Sequence, residues 1–172
     1  PGWHKLDLNG SIPAHSSYLI RTKKYKDNTT PANFQVPTGD MQWDDIIING
    51  KGVAVTLMSN QQLLTDNNIF DNTSKKPLKE GYVDLVGVHG NDSMESEKAF
   101  AFEGYATDSQ STKKAVRRID FQDTDCNAIG EDDGDFVIIE YNATDADYLQ
   151  WARQQMVHGT QHQCRNLRKL HH

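Results

Sequence analysis

The stretch Gly81-Tyr82-Val83-Asp84-Leu85-Val86-Gly87-Val88 decides the fold class. From Tyr82 to Val88 the residues alternate: Val83 and Leu85 fall on one face, and Tyr82, Asp84, Val86 and Val88 on the other. A period of two is the signature of a strand. Upstream, Gly52-Val53-Ala54-Val55-Thr56-Leu57-Met58 repeats the pattern, with Val53, Val55 and Leu57 on one face. Working outward, Ser17–Arg21, Ile46–Ile48, Phe100–Phe102, Ala115–Phe121 and Phe136–Tyr141 are further strand candidates. Turn-rich pieces such as Asn49-Gly50-Lys51-Gly52 and Asp66-Asn67-Asn68 separate them. Short strands split by turns predict an all-β protein, a sandwich or a barrel.

At 172 residues the chain has the length of one domain. Its 36% hydrophobic content, with three Trp, six Tyr and six Phe, supports a packed core and excludes wholesale disorder. No apolar run approaches the roughly 18 residues of a spanning helix, so no membrane insertion is expected. The opening Pro-Gly-Trp-His lacks Met and an apolar leader, and reads as the start of a mature or trimmed product. Eighteen basic against 24 acidic residues give a net charge of −6, all of it in the second half. Residues 119–147 alone hold ten Asp/Glu and no Lys or Arg. That field repels phosphate backbones, so nucleic acid is disfavoured as a partner, while cations are favoured.

One segment has a different period. Thr144 with Asp147 three residues on can cap a helix, and Leu149, Ala152 and Met156 recur at helical spacing before Gly159. The expected organisation is a β-sandwich over 1–143, a short C-terminal helix over 144–158 packed on it, and a polar tail over 159–172. Arg-Lys-Leu-His-His at the end of that tail resembles a tag remnant.

Taken in order, the motifs resemble the lamin tail domain family, in its bacterial secreted or surface form more than in nuclear lamins. Gly2-Trp3 is similar to the family's Gly-Trp, and Ile12-Pro13-Ala14 with Tyr18-Leu19-Ile20 to its turn and strand. Gly52–Leu57 matches Gly-x-Val-x-Leu, and Val83-Asp84-Leu85-Val86-Gly87 matches Val-Asp-Leu-Val-Gly. Glu103-Gly104, then Arg117 or Arg118, Asp123-Thr124-Asp125-x-Asn127 and Asp135-Phe136 resemble the family's ending. The resemblance implies an immunoglobulin-like β-sandwich in which Trp3, Asp84, Gly87, Glu103, Gly104, Arg118 and Phe136 are structural motif residues. The family's opening stretch before Gly-Trp has no counterpart here. That leaves either a trimmed chain or an open sheet edge on which a homodimer could form.

Chemistry concentrates in Asp123-Thr124-Asp125-Cys126-Asn127 and Glu131-Asp132-Asp133-Gly134-Asp135. Asp123, Asp125 and Asn127 match ligand positions 1, 3 and 5 of a calcium loop, and Glu131, Asp133 and Asp135 add oxygen donors. The loop pattern then breaks: Ala128 stands where a glycine belongs and Gly134 where a bidentate Glu belongs. Ca2+ is one expectation. The others are turn capping by Asp123 and Asp125 with Asp135 paired to Arg118, and an acidic loop that meets a partner. His158, His162 and Cys164 have partial zinc-ligand spacing but no HExxH glutamate. His4, His15 and His89 belong to no Gly-x-Ser-x-Gly elbow or ordered triad.

Asn-X-Ser/Thr begins at Asn9, Asn28, Asn72, Asn91 and Asn142, an excess over chance that points outside the cell. The expected function is a non-catalytic binding or tethering module of a secreted or cell-surface protein, with a protein or cell-surface partner. The alternatives are an accessory domain of a secreted nuclease or phosphoesterase, and a structural spacer. No catalytic residue is expected, and no cofactor beyond Ca2+.

Overall fold

The computed structural model describes residues 2–14, 16–23, 39–48, 51–90, 99–107, 114–129 and 134–140. Every regular element among them is a strand. In chain order these are β1 (Ile20–Thr22), β2 (Met41–Trp43), β3 (Val53–Met58), β4 (Phe70–Asp71), β5 (Lys76–Pro77), β6 (Tyr82–Val88), β7 (Lys114–Arg118) and β8 (Phe136–Glu140). They form four two-stranded sheets: β1–β2, β3–β6, β4–β5 and β7–β8. The first is parallel and the others antiparallel. The expected helix over 144–158, the tail, His158, His162, Cys164, His15, Glu131 and Asp133 lie outside the described residues.

The β3–β6 ladder is the framework. Val53 pairs with Val88, Val55 with Val86, Thr56 with Leu85 and Leu57 with Asp84, and the register then shifts so that Met58 meets Tyr82. Val83 is the extra residue of that bulge and stands half-exposed. Beyond the bulge, Leu85 and Gly87 turn inward. Leu85 is 1% exposed and packs with Ile69, Phe70 and Ala101, while Trp3, Ala54, Leu64, Tyr82 and Phe100 close the cluster. Trp3 meets Phe100 edge to face at 4.9 Å between centroids, and its indole N–H donates to the Asp66 carbonyl.

Two expected strands take other forms. Among the described residues Ile46–Ile48 joins no ladder, although the Ile46 carbonyl accepts the Lys23 N–H at 3.1 Å, because Asp40 organises the pairing earlier in the chain. Its carboxylate accepts the Leu19 N–H at 2.7 Å while its own N–H donates to the Leu19 carbonyl. That sets Met41 opposite Ile20 and leaves Ile47 and Ile48 on the surface. Phe100–Phe102 crosses the face of β6 instead of joining its edge. Ala99 and Ala101 are buried there, and the Ala101 carbonyl passes 2.3 Å from where a Cβ would stand on Gly87. Only glycine permits that approach.

Replacing Gly87 with alanine drives the new methyl into Ala101 and Phe102. The expected loss is about 1–3 kcal/mol of unfolding free energy, measured by urea denaturation, with the slope unchanged.

Candidate functional site

The free edge of β6, opposite β3, must find partners for the Leu85 carbonyl and for both backbone groups of Gly87. The side chain of Asn127 supplies the first rung. Its carboxamide oxygen accepts the Gly87 N–H at 2.8 Å, and its NH2 donates to the Leu85 carbonyl at 2.9 Å. Thr107 supplies the next: its N–H donates to the Gly87 carbonyl at 2.8 Å, and its carbonyl accepts the His89 N–H at 3.0 Å. The spacing is that of a parallel ladder, so one side-chain amide occupies the place of a strand residue. The same oxygen accepts the Glu103 N–H at 3.1 Å, and the same NH2 donates to Glu103 Oε2 at 3.1 Å. The Asn127 N–H returns to the Glu103 carbonyl at 2.8 Å. Asn127 is fully buried with the four bonding positions of its amide filled.

Glu103 is 1% exposed, and its other oxygen accepts the Tyr82 hydroxyl. Burial pushes its carboxyl up to about 7; the Tyr82 hydroxyl opposes this, and the nearby Asp84 and Asp123 charges add to it. Burial, with the hydrogen bond to Glu103, likewise raises the Tyr82 phenol, which stays protonated as a donor.

Beside this pair sits Arg118, at the end of β7. Its Nη2 donates to both oxygens of Asp84 at 2.8 and 2.7 Å, and its Nη1 donates to the Gln122 carbonyl at 2.8 Å. Nη1 also lies 3.4 Å from Asp123 and 3.8 Å from Asp135, and the guanidinium stacks 4.7 Å above the Phe136 ring. Asp135 is fully buried inside the 122–126 loop. Burial pushes its carboxyl up, but the Thr124 N–H and hydroxyl, the Cys126 N–H and the Gln122 amide outweigh it and hold it below its ordinary value.

The sequence-predicted residues thus reach different places. Asn127 faces β6, Asp135 organises the loop backbone, Asp125 takes a left-handed φ of +54°, and Asp123 stands exposed beside Arg118. Gly104, at φ +61°, lies against Cys126, where a Cβ would meet the thiol at 3.1 Å. Among the described residues, the carboxylates that could share a cation are Asp84, Glu103 and Asp123, each with an oxygen within 4.8 Å of the others. Of these three, only Asp123 belongs to the sequence-predicted metal set. Asp84 and Glu103 lie roughly 40 and 20 residues upstream, and no spacing rule connects them. Their signal was the acidic residue inside an apolar strand and the one beside Gly104.

Compared with known proteins, the chain matches no family model, no curated protein and no solved structure.

Two outcomes test this network. Asn127→Ala strands the Leu85 carbonyl and the Gly87 and Glu103 N–H groups, and is expected to cost about 3–5 kcal/mol in calorimetry. Stability should also depend on pH through Glu103. Its folded value of about 7 lies above the ordinary 4.5, so its contribution is complete below 4.5 and is lost as pH rises through 7. Asp135 works in the opposite sense: its contribution is present above 3.8 and is lost in stronger acid. Melting at pH 5 should therefore exceed melting at pH 8, and Glu103→Gln should flatten that slope.

Proposed function

We propose that the chain is a non-catalytic binding or tethering module of a secreted or surface protein, built on an immunoglobulin-like sandwich of the lamin tail type. One observation carries the reading: the polar side chains of the motif are spent on the fold itself. Asn127 is used up on β6 and Glu103, Asp135 on four donors of one loop, and Arg118 on Asp84 and Gln122. A catalytic group needs a free lone pair or proton aimed at substrate, and these groups are engaged by the protein's own backbone and side chains. The motif residues common to this chain and the family it resembles support architecture, and they leave recognition to the surface around them.

The extracellular setting rests on the Asn-X-Ser/Thr excess, with one acceptor withdrawn. Asn72 accepts the Gly104 N–H at 2.6 Å and donates to the Phe102 carbonyl at 3.2 Å, so its amide is engaged. The second reading is a divalent cation such as Ca2+ at Asp84, Glu103 and Asp123. Arg118 already supplies positive charge to two of these carboxylates, which favours the first reading.

The intact 172-residue chain, immobilised and presented with a secreted and surface protein fraction, should retain a partner saturably; a spacer would retain none. Plasmid DNA and bis-p-nitrophenyl phosphate should show no turnover, and turnover lost on Asp84→Asn would overturn the non-catalytic reading. In a thermal melt, Ca2+ added to EDTA-treated protein should leave the midpoint unmoved. A cation at 100 times its dissociation constant would add about 2.7 kcal/mol, a rise of several degrees, and its loss in Asp123→Asn would install the second reading.

A further inference from the structure

After β7 the chain reverses through residues 119–122, closed by Gln122 N–H donating to the Ile119 carbonyl at 2.7 Å. The two central residues, Asp120 and Phe121, have φ of +44° and +59°. Left-handed values at both central positions belong to a type I′ turn, whose preferred pair is Asn-Gly. Asp is tolerated there because its short polar side chain bonds locally, but a phenylalanine has no such relief. Nor does packing compensate the strain. Phe121 is 82% exposed, the most exposed of the large hydrophobic side chains among the described residues. The fold therefore holds an aromatic ring in water, on a backbone that disfavours it. Strain kept without an internal return points to a contact outside the molecule.

The charge around the tip narrows that contact. Asp120 and Asp123 are exposed and Asp125 half-buried, and no Lys or Arg occurs from Ile119 to Ile129. Arg118, the cation next to this stretch in sequence, is turned inward onto Asp84 and the Gln122 carbonyl and lies 3.4 Å from Asp123. Resting on the binding-module reading, we infer that Phe121 is the anchor of its docking surface, and that the partner is a protein offering an apolar pocket rimmed by Lys or Arg. An anionic membrane would be repelled by the three carboxylates. A second copy of this chain brings its own net charge of −6 to the encounter. A buried aromatic ringed by charge pairs that exclude water is the usual form of an interface hot spot.

The test uses the intact 172-residue chain and a probe with this chemistry. Heptakis(6-amino)-β-cyclodextrin is an apolar cup rimmed by ammonium groups, and neutral β-cyclodextrin is its reference. By calorimetric titration the cationic cup should bind about tenfold more tightly than the neutral one, an advantage that added salt erodes. Phe121→Gly should abolish binding, and Asp120→Asn should reduce the cationic preference alone. Because glycine and asparagine suit the left-handed turn, Phe121→Gly and Phe121→Asn should both melt about 2–4 °C higher than wild type. Equal binding by Phe121→Gly, or a lower melting point in both variants, overturns the anchor. Partner capture by wild type and Phe121→Gly alike also overturns the anchor and leaves the module reading standing. No capture by wild type overturns the module reading, whatever the cup does.

Discussion

The structure turns on one side-chain amide that takes the place of a strand. β6 has β3 along one edge, and along the other it needs partners for Leu85 and Gly87 at the centre of the core. A paired backbone segment would have to bring its own side chains into the space that Ala101 and Phe102 fill. Asn127 reaches the same backbone groups from the side, with a planar group of the right size and polarity and no chain to accommodate. Because it also holds both ends of Glu103, it fixes the crossing segment 99–104 and the loop 122–127 in one step. A buried polar network of this kind is stabilising only when every member is satisfied, and here they are.

Electrostatics explain why the residues around it are acidic. Arg118 is the one guanidinium shown among Asp84, Asp123 and Asp135, and each carboxylate draws on it at a different distance. Glu103, the one without a cation, is the one whose charge is disfavoured near neutrality. The arrangement resembles a cation site in composition and carries ion pairs and hydrogen bonds of its own. Arg118, stacked on Phe136, reaches two of the three clustered carboxylates, Asp84 and Asp123.

How much of this was legible in the sequence follows from the range of the interactions. Val53–Met58 and Tyr82–Val88 announced themselves because alternation is local, and the structure pairs them, with one register shift at the Val83 bulge. Ile46–Ile48 had equally good composition, but its fate was decided by the Asp40 carboxylate capturing the Leu19 N–H, a contact between residues 21 apart. Phe100–Phe102 looked like a strand because its aromatic residues are strand formers. The close approach over Gly87 is visible only once the two segments are superposed in space. The acidic cluster was legible only in part: the loop at 123–135 was conspicuous, yet its neighbours Asp84 and Glu103 come from other elements. Periodicity sees along the chain, and the site is assembled across it.

Cys126 gives this network a chemical clock. The thiol is buried, directly under Gly104 and between the two loops that Asn127 joins. A thiol reagent can reach it only when those loops part, so the rate of its alkylation, mapped to that residue by mass, reports how often the core opens. The molecule thereby carries, beside this network, a buried side chain whose reactivity converts a fleeting structural event into a covalent record.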